Sequence, residues 1–188
     1  MLFTAWASRR LPLIDLGRNL LISYAANAAG AMAFAVLIAG SGLLQSEHGR
    51  TAAAIAEAKM TLSFEHAFIR GILCNALVCI SVWMILAART IPSKLVGLIF
   101  PISAFITLGF EHSIANFYLL SAGLLAGGVG SLGAAVTNLI AVTLGNLVGG
   151  IVIALAFWMA YVRGTDSEPA RSIRPSLGTS PSSPTRCS

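Results

Sequence analysis

Glu111 and His112 stand together in GFEHSIANFY (109–118), a carboxylate and an imidazole set between long apolar runs. An imidazole titrates near neutrality, so it can hydrogen-bond an anion or hand it a proton. Ionisable groups inside a membrane-spanning segment mark substrate and proton pathways, because charge is costly there. On local sequence alone a second placement stays open, with the two as loop residues between short helices at a membrane surface. The elements around them decide between the two.

Of 188 residues, 56% are hydrophobic and only 10% charged, where a soluble domain carries about 25% charged residues. This is the composition of a membrane protein. The formal net charge is +5, but the basic residues sit in short clusters between apolar runs and in the tail, with no stacking aromatics interleaved. Lipid headgroups and membrane topology account for them, and a nucleic-acid partner does not. Cys74, Cys79 and Cys187 form no disulfide framework and no metal-ligand spacing. No nucleophile–base pair or phosphate loop is visible, so the sequence argues against an enzyme and calls for no cofactor or metal.

Three runs are long enough to cross a bilayer: 19–42, 67–88 and 139–162, the last closed by Phe157, Trp158 and Tyr161. Between the second and third lie residues 95–110 and 112–127. Each is 16 residues, about 24 Å as helix, too short to cross alone, and together they are too long for one straight span. A broken span fits both runs, with Pro101 in the first turns of one half and Glu111–His112 at the junction. Unwound backbone is tolerated at membrane depth only where protein or a water-filled cavity satisfies it, and transporters place their substrate there.

The polar stretch 43–66 contains an Ala-rich short helix (TAAAIAEAKM), and the Gly-rich stretch 121–138 reads as a long flexible connection. Two units follow: a membrane domain over 1–162 and a Ser/Pro/Arg-rich tail over 163–188, expected to be disordered. Arg9, Arg10, Arg18, Arg89, Lys94, Arg163, Arg171, Arg174 and Arg186 fall on one side if the spans alternate, which predicts a cytoplasmic C-terminus. NLLISYAANAAGAMAFA (from Asn19) also resembles NLIAVTLGNLVGGIVIA (from Asn138), pairing Asn19/Asn138, Asn27/Asn146, Gly30/Gly149 and Ala35/Ala154. Polar and small residues sharing a helix face let membrane helices approach closely.

GILCNALVCISVWM (71–84), LGFEHSIANFY (108–118) and VTLGNLVGG (142–150), in order with EAKM (57–60) and ARTIPSK (88–94), resemble the formate/nitrite transporter family over about residues 2–162. The resemblance implies an all-α polytopic membrane protein, an aquaporin-like helical bundle whose second and fifth helices are broken, assembled as a homopentamer in the cytoplasmic membrane. It implies His112 as the single pore histidine, supported by Glu111 and Asn116 and held by a hydrogen bond from Thr4. Leu2, Phe3 and Phe105 would be apolar constrictions, Phe105 about two turns to the cytoplasmic side of His112. Asn75 and Val78 would line the pore, and Lys59 would draw anions toward the periplasmic mouth. The family's Leu-Phe-Thr stands here at Leu2–Thr4, directly after Met1, so the bundle is expected to be incomplete at its N-terminus, with only a remnant of the second helix.

The function implied is proton-coupled or pH-gated passage of small monovalent anions, formate or nitrite, alongside membrane lipid as the other partner. Two other readings differ in class: a non-transporting remnant or structural subunit, and a facilitator of neutral solutes such as water or glycerol.

Overall fold

The computed structural model of the protein describes residues 2–162, and the tail lies outside the described residues. Seven α-helices follow in order: α1 (Leu2–Ala7), α2 (Leu13–Gly40), α3 (Glu47–Met60), α4 (Phe64–Ala87), α5 (Ile91–Thr107), α6 (Ser113–Leu125) and α7 (Leu132–Phe157). A short 3₁₀ turn (Leu43–Gln45) precedes α3, and a π-turn (Trp158–Val162) follows α7. Three helices are long and apolar enough to span: Leu13–Gly40, Phe64–Ala87 and Leu132–Tyr161. Together with the broken pair α5–α6 they form the expected all-α polytopic membrane fold.

The helices start and stop for local reasons. Ser46, Ser63, Thr90 and Ser131 cap α3, α4, α5 and α7 with their side-chain oxygens, satisfying N–H groups that a helix start leaves free. Thr90 and Ser93 bond each other's backbone in a reciprocal capping box, with Pro92 in the first turn. That early start corrects the expectation for Pro101, which sits inside α5 rather than in its first turns. At the other end Gly109, at φ +67°, closes α5 in a Schellman arrangement: its N–H bonds the Ile106 carbonyl and the Phe110 N–H bonds the Phe105 carbonyl.

The stretch 121–138 is not a long flexible connection. It holds the end of α6, a link of six residues (126–131) and the first two turns of α7. Its glycines serve close approach: a Cβ on Gly123 would overlap Ala56 of α3.

In lipid there is no solvent-driven attraction between apolar helices, so close packing of small residues holds the bundle together. The contact between α4 and α7 shows this most clearly. A Cβ on Gly145 would collide with the Phe68 carbonyl oxygen, one on Gly149 with that of Ile72, and one on Gly71 would lie 2.9 Å from that of Val142. Small and β-branched residues fill the same seam, with Ala67, Ala141 and Val142 fully buried. A second cluster of Ala56, Leu120 and Ala135 joins α3, α6 and α7. Helix α5 lies along α4, while α2 and α3 both lie along α6.

Candidate functional site

The break between α5 and α6 is built by one side chain from α7. The Asn146 amide nitrogen donates to the carbonyls of Glu111 and Gly71, each at 2.9 Å, and its carbonyl oxygen accepts the Ser113 N–H at 2.9 Å. The two residues flanking His112 are thus held by a single carboxamide, whose three bonds among the described residues all go to backbone. His112 itself has extended backbone (φ −114°, ψ 121°) and stands as N-cap of α6 without a side-chain cap bond. Among the described residues its ring spends no hydrogen bond on the helix cap and is available to another partner. It lies against the Phe105 ring, centroids 6.1 Å apart and 26° between planes.

Behind the break, Glu111 is 3% exposed and its two carboxylate oxygens each accept from Lys59 Nζ at 2.9 Å. Asn116 Nδ2 donates to the same carboxylate at 2.6 Å and to Asn138 Oδ1 at 2.9 Å, and Asn138 in turn donates to the Lys59 backbone carbonyl. A charge pair in so little water persists only when both members are paired and hydrogen-bonded, as here. Four side chains from α3, the break, α6 and α7 therefore form one buried polar network.

In front of the break lies a cavity of about 520 Å³ between α1, α2, α4, α6 and α7. His112, Phe3, Asn75, Asn27, Thr143 and Asn146 are among the residues that line it. Asn75 donates to the Asn146 backbone carbonyl, and the hydroxyls of Tyr24 and Thr143 meet at 2.6 Å, joining α2 to α7 across the space. Tyr24 is braced by an edge contact with Phe117, centroids 5.3 Å apart. Mixed apolar walls with a few aimed polar groups are the usual make-up of small-ligand sites.

Of the residues singled out in the sequence, the structure brings His112, Phe3 and Asn75 to the cavity and places Phe105 beside the imidazole. Leu2 and Val78 are half-buried and lie off its lining. Lys59, expected to draw anions toward a mouth, has its ammonium held by Glu111 and largely buried. Glu111 and Asn116, expected to support the imidazole, bond each other, Lys59 and Asn138. The Thr4 hydroxyl is buried and has no hydrogen-bond partner among the described residues, so the expected bond to His112 is not formed.

The sequence reading assigned no site role to Asn146, Asn138, Tyr24 or Thr143. The internal repeat carried a signal for the two asparagines, which it pairs with Asn27 and Asn19. Nothing local marks Tyr24 or Thr143.

The family model described as "Formate/nitrite transporter" matches residues 1–160. A "Probable formate transporter" of Methanothermobacter thermautotrophicus is 36% identical over 172 residues, covering 82% of this chain and 63% of that protein. "Formate channel FocA" of Escherichia coli (strain K12) is 31% identical over 189 residues, covering 88% and 66%. This chain thus spans a little under two thirds of these relatives' length. Among solved structures, an "FNT family ion channel" superposes with a TM-score of 0.76 at 28% identity, covering 85% of this chain and 67% of that one. A "Pentameric formate channel with formate bound" gives 0.69 at 31%, covering 79% and 68%.

Proposed function

The chain belongs to the formate/nitrite transporter family, and from that premise we propose that it passes small monovalent anions, formate or nitrite, through the cavity at the α5–α6 break. The observation that carries this reading is His112: a titratable ring at the unwound point of a broken span, on a cavity, with its neighbours' backbone clamped and no cap bond from the ring itself. Relatives named as formate channels and a relative with formate bound support the choice of anion.

In this reading the apolar walls, Phe3 and the Phe105 beside the imidazole, make a bare anion costly to admit, because charge loses its hydration there. His112 lowers that cost by hydrogen-bonding the anion or by protonating it, so that the neutral acid crosses the apolar part. The α6 N-terminus adds the positive end of a helix dipole beside the ring. Lys59 keeps Glu111 compensated behind the break, so that a free carboxylate does not repel an arriving anion. The chain acts as a homopentamer in the cytoplasmic membrane, with the loops bearing Arg9, Arg10, Arg18, Arg89 and Lys94 on the cytoplasmic face.

The test is formate flux in proteoliposomes over a pH series. Flux rises as pH falls, and His112→Phe abolishes that dependence. Undiminished, still pH-dependent flux in His112→Phe would overturn the assignment of the ring. Flux of glycerol or water indifferent to His112 would replace the anion with a neutral solute. Native mass spectrometry checks the pentamer.

A further inference from the structure

We propose that Asn27 of α2, which lines the same cavity as His112, is a second hydrogen-bonding contact for the permeating anion; this rests on the anion-transport reading above. The internal repeat pairs Asn27 with Asn146, yet the two carboxamides are used differently. Asn146 is buried and spent on the backbone around His112. Asn27 is exposed, lines the cavity, and among the described residues makes one side-chain bond, from its amide nitrogen to the Ser23 carbonyl of its own helix at 2.7 Å. A carboxamide carries two N–H donors, so one remains for a ligand.

Asn27 lies near the middle of the 28-residue α2, whose other exposed residues are mostly apolar. A carboxamide turned to hydrocarbon there would leave a donor and an acceptor without partners, which lipid penalises. The structure gives it the other outlet, the cavity. Asn75 on the facing wall is placed in the same way, donating once to the Asn146 carbonyl and keeping its second N–H. Two amide donors and an imidazole around one space suit a small carboxylate or nitrite, whose oxygens accept several hydrogen bonds at once. Ser23, on the same wall, offers a hydroxyl held only by a long 3.5 Å contact to Asn19.

The experiment has two readouts on the full chain. First, Asn27→Cys, in a background carrying Cys79→Ala and Cys187→Ala, is treated with a charged methanethiosulfonate that reacts with thiols in water and not with thiols facing lipid. Labelling that formate slows supports the proposal. No labelling, or labelling indifferent to formate, overturns it. Second, Asn27→Leu raises the half-saturating formate concentration about tenfold, the loss of one hydrogen bond to a charged ligand. Asn27→Ser retains part of the affinity, and Asn19→Leu, off the cavity lining, leaves it unchanged. An unchanged half-saturation in Asn27→Leu overturns the proposal even with the thiol labelled. If the unaltered chain shows no formate flux, the transport reading fails, while the labelling and its protection still decide whether Asn27 meets the anion.

Discussion

Helices α2 and α7 carry the same pattern of asparagine and glycine, and the structure treats them oppositely. On α7, Asn138, Asn146, Gly149 and Ala154 are all buried. The glycine presses against the Ile72 carbonyl of α4, and the two asparagines bond across helices. On α2, Ala35 is buried, but Asn19, Asn27 and Gly30 are exposed. Their bonds stay within their own helix, and a Cβ on Gly30 would meet nothing within 4 Å. The pattern confers a capacity for close approach and cross-helix bonding. Whether that capacity is used depends on which helix stands opposite.

The largest test of that contrast is Asn146→Leu. It strips partners from the Glu111 carbonyl and the Ser113 N–H, at about 1–3 kcal/mol each for buried groups left unsatisfied. It should abolish flux and lower the unfolding midpoint in detergent. The matching change on α2, Asn27→Leu, should leave that midpoint unchanged or raise it. Equal losses at both positions would erase the distinction. Next in size is Lys59→Met, which leaves Glu111 buried and uncompensated and costs about 3–5 kcal/mol. The double variant Lys59→Met/Glu111→Gln should recover most of that loss, read in the same unfolding experiment.

Smaller still is Gly145→Ala, where the added methyl group must push α4 from α7 at about 1–3 kcal/mol. Gly30→Ala should run the other way. It meets open space and exchanges glycine for the best helix former, a gain of up to about 1 kcal/mol. Thermal unfolding of the two alanine variants side by side, with opposite signs, is the sharpest reading of the comparison.

The broken span was legible because length is a hard constraint: two 16-residue apolar runs meeting at Glu111–His112 allow few other arrangements. The Lys59–Glu111 pair was not, since the partners are 52 residues apart and nothing near either one indicates the other. Lys59 therefore carried only the role the family resemblance implies, drawing anions toward the mouth. The glycines of 121–138 read as a flexible link, yet Gly123 and Gly128 are there so that neighbouring backbone can come close. Local sequence does not separate those two uses of glycine, and only the facing helix does. Asn146 stood out in the repeat, but its role depends on where α7 crosses the break, which is a tertiary fact.

The glycine contacts between α4 and α7 leave no slack between those two helices. Helix α5 rides with them, while α2, α3 and α6 lie together on the other side. The cavity is therefore a seam between two blocks rather than a bore through one. Asn146 and Asn138 are stitches across it, and the Tyr24–Thr143 hydroxyl pair is the clasp at its far edge. Of the contacts across the seam, the clasp is a single neutral hydrogen bond, so parting the two blocks there costs less than at the buried charged network behind the break.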